Sequence, residues 1–110
     1  MSTPSASTPL IVHNVYFALN DNSPAAVQHL LGECRKYLEG HSGVVHFSCG
    51  TVCASLTRPV NVRDFDVALH VIFRSMADHD AYQVHARHQQ FIAENKANWK
   101  QVRVFDTEAS

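Results

Sequence analysis

Charge is scarce in this sequence, and neither sign dominates. Asp, Glu, Lys and Arg make up 17% of the 110 residues, whereas an average soluble protein has roughly 25%. The formal net charge is only -1, and the arginines are scattered along the chain. Because nucleic-acid binding depends on a concentrated basic surface, the sequence predicts no nucleic-acid partner.

Long hydrophobic runs are also missing. No apolar run reaches about 18 residues, the length that a membrane-spanning helix needs, so neither such a helix nor a membrane partner is predicted. The N-terminal residues are rich in Ser, Thr and Pro and have neither the basic nor the apolar region of a signal peptide. We expect a disordered tail at residues 1–9, one domain over residues 10–106 and a C-terminal tail at residues 107–110.

Cysteine is rare, with three residues at Cys34, Cys49 and Cys53. An odd number cannot all pair within the chain. The spacer between Cys49 and Cys53 is one residue longer than the two-residue spacer of redox and zinc motifs. The pattern predicts reduced, structural thiols in a cytoplasmic protein.

The hydrophobic periodicity predicts four strands. Apolar residues alternate with polar ones over residues 65–74, as in a strand with one buried face. Over residues 10–19 both faces are largely apolar, as in a strand that is covered on both sides. The predicted strands cover residues 10–19, 44–53, 65–74 and 101–106.

Two helical regions separate these strands. Ser23, followed by proline, is typical of a helix start, and Gly40 is typical of a helix end. The second region starts after Ser75, and Asp78 three residues later completes a pattern that resembles a capping box. This region has a predicted break near Ala86. The resulting order, β-α-β-β-α-β, predicts an α+β, ferredoxin-like fold with a four-stranded antiparallel sheet and both helices on one face.

The other face of this sheet has no helix to cover it. The residues expected on that face are largely apolar: Leu10, Val12, Tyr16, Ala68 and Ile72. Such a patch is rarely left in water, and the simplest cover is a second copy related by a two-fold axis. We therefore expect an obligate homodimer that packs through the open sheet face.

Histidine is unusually frequent, with eight residues. Tyr82, His85 and His88 are spaced by three, which places them in a slanting strip on a helix, and His79 extends the strip by one step. His13 lies on the face of the first strand that meets the helices, so these side chains are predicted to gather at one cavity. The expected apolar walls of the cavity are Phe17, Leu30, Phe73, Phe91 and Ile92. The histidines expected elsewhere are His70 on the open sheet face, and His29, His41 and His46 at the surface or in loops.

Three interpretations of the strip stay open. A neutral imidazole can remove a proton at neutral pH, and a phenol can donate a hydrogen bond to a developing oxyanion. Alternatively, His85 and His88 can bind a divalent metal together with His13. No carboxylate or thiolate joins that set and the i, i+4 spacing of zinc-protease helices is missing, so no metal and no other cofactor is predicted. The third interpretation is that His85 and His88 cap helix ends through hydrogen bonds to backbone carbonyls.

Several segments also occur in a characteristic order and spacing. They are residues 13–17, 43–44, 50 and 66–75, followed by Tyr82, His85, His88 and Phe91. Together they resemble the stress-responsive dimeric A/B barrel (Dabb) domain family, over about residues 10–106. The resemblance implies a ferredoxin-like monomer whose dimer closes two sheets into a dimeric α/β barrel.

The resemblance also has implications for function. Most members of the family have no assigned activity, and some are linked to stress responses. One plant member cyclises a linear polyketide by aldol condensation, and the resemblance places its catalytic tyrosine and histidine at Tyr82 and His88 and its strand-one histidine at His13. The family's usual His-Pro-x-His motif has Ala86 in place of proline here, which predicts a less sharply broken helix.

Three functional hypotheses follow. The first is a small homodimeric, stress-responsive A/B barrel protein that binds a small hydrophobic or aromatic molecule in a cavity lined by His and Tyr. The expected ligand-binding residues are His13, His85, Phe17, Phe73 and Phe91. The second is a cofactor-free cyclase, lyase or isomerase in which His88 is the general base and Tyr82 the orienting donor. The third, a cofactor-independent monooxygenase, is suggested by shared architecture alone.

Overall fold

The computed structural model describes residues 8–110 and divides them into four strands and three α-helices. In chain order, the elements are β1 (Leu10–Leu19), α1 (Pro24–Leu38), β2 (Val44–Gly50), β3 (Val67–Phe73), α2 (Met76–Val84), α3 (Ala86–Asn95) and β4 (Trp99–Ala109), with a short 3-10 turn at Lys96–Asn98 before β4. The predicted α+β class and ferredoxin-like order are confirmed, with the second helical region divided into α2 and α3. Most of the predicted N-terminal tail, residues 1–7, lies outside the described residues.

The strands form one antiparallel sheet with the order β2-β3-β1-β4. β1 lies in the middle, and its register places Val15 opposite Leu69 of β3 and Val104 of β4. β2 and β4 are the edge strands of the sheet in residues 8–110, so the outer side of β4 has no strand partner there.

The lengths of three strands differ from the predictions. β2 ends at Gly50 and β3 begins at Val67, so both are shorter than expected, whereas β4 runs from Trp99 to Ala109. Residues 107–109 pair with the first three residues of β1, which satisfies the backbone groups there. The prediction of a C-terminal tail at residues 107–110 is therefore wrong for residues 107–109, which belong to the sheet.

The predicted helix ends are confirmed. The Ser23 hydroxyl accepts a hydrogen bond from the amide of Ala26 at 3.3 Å, and the Ser75 hydroxyl accepts one from the amide of Asp78 at 3.2 Å. Gly40 follows α1 with a φ of 83°, a left-handed conformation that glycine adopts without a steric penalty.

The second helical region breaks completely at His85, although the motif lacks proline. His85 has φ −65° and ψ 144°, an extended conformation that ends α2 at Val84. Its Nδ1 accepts a hydrogen bond from the amide of Arg87 at 3.0 Å, which caps α3. The expectation of a less sharply broken helix is therefore wrong, because the backbone and ring of His85 together end one helix and start the next.

The core lies between the sheet and the helices. The β1 residues that face it are all buried: Ile11, His13, Val15, Phe17 and Leu19. Burial of an aliphatic or aromatic side chain of this size contributes about 1.5–3 kcal/mol. None of the helices in residues 8–110 is long and apolar enough to cross a bilayer.

The opposite sheet face, here called the open face, carries Tyr16, His70 and Phe105 among its residues. Tyr16 makes edge contacts with Phe65 and Phe105, with ring centroids 5.0 and 5.8 Å apart. His70 lies there as predicted, and its Nδ1 forms a 2.7 Å hydrogen bond with Oδ1 of Asn14. Phe105 is 55% exposed, so the open face presents aromatic surface to the surroundings of the protomer.

Candidate functional site

His13 is a buried imidazole in the middle strand of the sheet. Its Nδ1 lies 2.6 Å from Oδ1 of Asp106, the residue directly opposite it in β4. In this pair a neutral imidazole donates its Nδ1–H to the carboxylate and keeps its lone pair on Nε2. The carboxylate therefore sets the orientation of the ring and the tautomer.

Tyr82 projects from α2 into a group of imidazoles and is only 2% exposed. Its ring centroid lies 6.1 Å from that of His13, 5.0 Å from that of His41 and 4.8 Å from that of His88. Burial raises the pKa of the Tyr82 phenol. Within the described residues its hydroxyl has no hydrogen-bond partner, so it is a protonated donor without an acceptor.

His88 lies on α3, after the break at His85. Burial, with smaller contributions from the neighbouring imidazoles of His13, His41 and His79, lowers the pKa of His88 to about 4. Its Nδ1 is buried and has no hydrogen-bond partner in residues 8–110. His88 is therefore neutral at pH 7 and has an unused ring nitrogen.

A cavity of about 160 Å³ lies between these side chains, and the residues with polar atoms that line it are His13, Tyr82, Gln83, His88 and Trp99. Its apolar lining includes Phe17, Phe91, Ile92 and Val104. Three buried atoms on lining residues have no hydrogen-bond partner among the described residues: Oη of Tyr82, Nδ1 of His88 and Nε1 of Trp99. An unpaired buried polar group costs about 1–3 kcal/mol, so water or a bound molecule is needed to complete these hydrogen bonds.

The cavity brings together most of the site residues that the sequence analysis singled out. Those that line it are His13, Phe17, Tyr82, His88 and Phe91. Phe73 does not line it, because it is fully buried behind Tyr82, with a centroid separation of 5.0 Å. It supports the phenol ring and has no surface available to a ligand.

His85 is not brought into the cavity either, which corrects its assignment to the ligand-binding set. It is exposed, its ring packs on that of His41 at 4.8 Å, and it caps α3. His85 therefore does cap a helix, but its ring accepts from the amide of Arg87 and does not bond a backbone carbonyl as the third interpretation expected. A metal set of His13, His85 and His88 is not assembled, since the break between α2 and α3 separates the side chain of His85 from the cavity.

Three residues of this region were missed by the sequence reasoning. Trp99 lies before the predicted start of the last strand, although a single tryptophan in the chain was a signal that it packs at a core boundary. Asp106 was placed on the last strand without a partner. His41, expected at the surface, is buried, and its Nε2–H donates to the carbonyl of Tyr37 at 2.7 Å.

The solved structures that resemble this fold include the three that follow. A ferredoxin-like Dabb family protein from Mesorhizobium loti is 21% identical, with a TM-score of 0.77 over 93% of this chain and 98% of that chain. A dimeric ferredoxin-like protein of unknown function from Thermobifida fusca is 16% identical, with a TM-score of 0.76 over 93% and 92% of the two chains. The hydroxynitrile lyase from Passiflora edulis is 16% identical, with a TM-score of 0.74 over 94% and 95%. Identities this low establish the fold alone.

Comparison with models of protein families assigns the chain to a family, which the solved structures alone do not. No curated protein matches the sequence. The model of the Stress responsive A/B Barrel Domain, Dabb, matches residues 11–109, which run from β1 to the end of β4. The chain therefore belongs to the Dabb family, as the resemblance predicted.

Proposed function

We propose that this protein is a homodimeric, stress-responsive A/B barrel protein that binds a small aromatic or hydrophobic molecule carrying oxygen acceptors in the cavity between α2, α3 and β1. The observation that carries this proposal is that three of the buried polar atoms without partners in residues 8–110 belong to Tyr82, His88 and Trp99. All three residues line one cavity. In a binding site whose ligand supplies the missing hydrogen-bond partners, such atoms are unpaired in the free protein.

The size of the cavity limits the ligand. Its volume of about 160 Å³ is close to that of an apolar cavity of roughly 150 Å³ that holds one benzene molecule. A single substituted ring or a short branched chain fits, whereas a long linear polyketide does not fit without widening the cavity.

The polar atoms indicate where the ligand carries oxygen. The hydroxyl of Tyr82 and the indole N–H of Trp99 are donors, so they favour a carbonyl, phenolate or hydroxyl oxygen. Nδ1 of His88 accepts or donates according to its tautomer. Phe17 and Phe91 supply apolar contact for the rest of the ligand, with their own ring centroids 6.2 Å apart.

A dimer through the open face is part of the proposal. Phe105 is 55% exposed beside Tyr16 and Phe65 in the protomer, and aromatic side chains at the centre of an interface contribute strongly to association. A second copy related by a two-fold axis would cover both aromatic groups at once. The description of the Thermobifida fusca neighbour as dimeric supports a dimer, without indicating which face forms it.

The binding proposal can be tested with phenol and benzene, two probes that differ by one hydroxyl group. We expect the wild type to bind both and to prefer phenol by about fivefold, the equivalent of one net hydrogen bond of about 1 kcal/mol. Tyr82→Phe should reduce this preference. Tyr37→Phe is the matched control, because the Tyr37 hydroxyl donates to Glu94 at 2.8 Å outside the cavity. Isothermal titration calorimetry measures both affinities.

Two outcomes of that experiment contradict the proposal. One is a wild type that binds neither probe. The other is a phenol preference that is unchanged in Tyr82→Phe or that falls equally in Tyr37→Phe. Either result would show that the hydroxyl of Tyr82 does not bind the phenol.

The second candidate function is a cofactor-free lyase, cyclase or isomerase with His88 as general base and Tyr82 as orienting donor. The contact of the two rings at 4.8 Å favours it, and one fold neighbour is described as a hydroxynitrile lyase. A pKa of about 4 for His88 weighs against it, because the best general bases have pKa values near the working pH. His88→Ala should abolish turnover of any substrate that is found and leave the dimer folded, and retained turnover would end this assignment.

Two further predictions remain proposals. A cofactor-independent monooxygenase rests on the likeness of fold alone. A cytoplasmic location is supported by the free state of Cys34, Cys49 and Cys53, since proteins of oxidising compartments tend to pair their cysteines.

A further inference from the structure

A second group of polar side chains lies at the end of the cavity region where β1, α2 and β4 meet. It consists of His13, His79 and Asp106, and one ligand atom of each residue lies within 4.8 Å of those of the other two. The imidazole of His79 packs edge-on against that of His13, with centroids 5.4 Å apart. No carboxylate joins the histidines in the pattern of the sequence, and the structure supplies one in Asp106.

We propose that His13, His79 and Asp106 bind a divalent transition-metal ion of the zinc type. Two imidazoles and one carboxylate are a donor set that Zn²⁺ and its neighbours prefer, and three protein ligands leave a fourth position for water or a small ligand. Mg²⁺ and Ca²⁺ prefer sites made of oxygen atoms, and this group has only one carboxylate.

The distances require only a small movement. Metal–ligand bonds of about 2.0–2.2 Å put the ligand atoms of a tetrahedral site roughly 3.3 Å apart, so the widest separation has to close by about 1.5 Å. The side chain of Asp106 is 48% exposed and that of His79 is 17% exposed, so an ion from solvent reaches the carboxylate directly. His13 is held by the strand and by ring contacts with Phe73 and Tyr82, so it provides the fixed ligand.

The hydrogen bonds around the group match those of a metal site. Nδ1 of His79 lies 3.0 Å from Oδ1 of Asp80, so a neutral ring donates Nδ1–H to that carboxylate and has its lone pair on Nε2. A carboxylate behind a metal-binding histidine in this way sets the tautomer and makes the ring a stronger ligand. Nδ1 of His13 is 2.6 Å from Asp106, and an ion bound by these two groups replaces the proton between them and releases it to solvent.

The test is titration of metal-free full-length protein with Zn²⁺ by isothermal titration calorimetry in the presence of a competing chelator. We expect one tight site per chain and no comparable binding of Mg²⁺. His79→Ala and Asp106→Asn should each weaken Zn²⁺ binding by at least about tenfold. X-ray absorption of the zinc complex should count two imidazole ligands in the wild type and one in His79→Ala.

Matched controls are needed because the chain has eight histidines. His29→Ala and His46→Ala each remove an exposed imidazole outside the group, and both should bind Zn²⁺ like the wild type. Circular dichroism confirms that each variant is folded. Weak binding spread over several sites, unchanged affinity in His79→Ala, or an equal loss in the two controls would overturn the proposal.

Discussion

Asp106 lies directly opposite His13 in the β1–β4 ladder, and its carboxylate oxygen approaches Nδ1 of the imidazole to 2.6 Å. The side chains of a strand alternate between faces, so a shift of the ladder by one residue would move Asp106 to the open face. The pairs that β4 forms up to Ala109 hold this register. The long last strand therefore matters to the site as well as to the sheet.

We expect Asp106→Ala to destabilise the protein by about 1 kcal/mol, because it removes the partner of a buried imidazole while the carboxylate itself is half exposed. Glu108→Ala is the matched control, since Glu108 is an exposed acidic residue two positions along the same strand. Urea denaturation at pH 7 measures both free energies of unfolding. Equal effects of the two substitutions would show that the His13 contact does not contribute.

Tyr82→Phe should stabilise the ligand-free protein by about 1 kcal/mol, because it removes a buried hydroxyl that has no partner in the described residues. Tyr37→Phe should act in the opposite direction, since it loses the hydrogen bond to Glu94. Chemical denaturation of both variants checks the signs. A clear destabilisation by Tyr82→Phe would mean that the hydroxyl is satisfied in the free protein.

Ala86→Pro should stabilise the protein by about 0.4–1 kcal/mol. Ala86 is the first residue of α3, a position where proline costs no helical hydrogen bond, and His85 already has the extended backbone that a following proline favours. Ala93→Pro, beyond the first turn of α3, removes a helical hydrogen bond and should cost about 3 kcal/mol or more. Thermal and urea unfolding distinguish the two, and a loss of stability in Ala86→Pro contradicts the assigned helix start.

The stability of the protein should fall as the pH drops from about 6.5 towards 4. The pKa of His88 is lowered to about 4 in the folded protein, whereas an unfolded histidine has a pKa near 6.5. As the pH falls, the unfolded chain thus takes up the proton first. The contribution of neutral His88 to the free energy of unfolding is complete above pH 6.5 and is lost as the pH falls towards 4. The expected loss is on the order of 2–3 kcal/mol.

His88→Gln should flatten this pH dependence, because it removes the titrating ring and keeps a polar side chain. His29→Gln, at an exposed position, should leave the dependence unchanged. Urea midpoints measured between pH 7.5 and pH 4.5 provide the comparison. The assignment to His88 fails if the pH dependence is the same in wild type and His88→Gln.

Phe105→Asp should weaken the dimer by at least about a hundredfold, because it places a charge in an apolar interface. Phe105 is already 55% exposed in the protomer, so the fold of each subunit should survive. Val84→Asp, at a site that is 75% exposed on α2, is the control and should leave the dimer intact. Sedimentation velocity measures both, and a wild type that is monomeric at micromolar concentration would contradict the homodimer.

Local features of the chain were predictable. The caps at Ser23 and Ser75 depend on hydrogen bonds to amides three residues away, and the burial of alternate residues in β1 follows from a period of two. The proximity of Tyr82 to His88 was also expected from their spacing and from the family resemblance. His85 was misplaced because its extended backbone interrupts the helix on which the spacing argument relied.

The amino-acid sequence alone was sufficient for the family, the order of the elements and the helix starts, since periodicity and capping act over a few neighbouring residues. The contact of His13 with Asp106 joins residues 93 positions apart. That contact, the approach of His79 and the unpaired atoms around the cavity depend on strand register and on how α2 and α3 pack against the sheet. Because such long-range placement results from packing the whole domain, the tertiary structure was needed to find the group of His13, His79 and Asp106 and the size of the cavity.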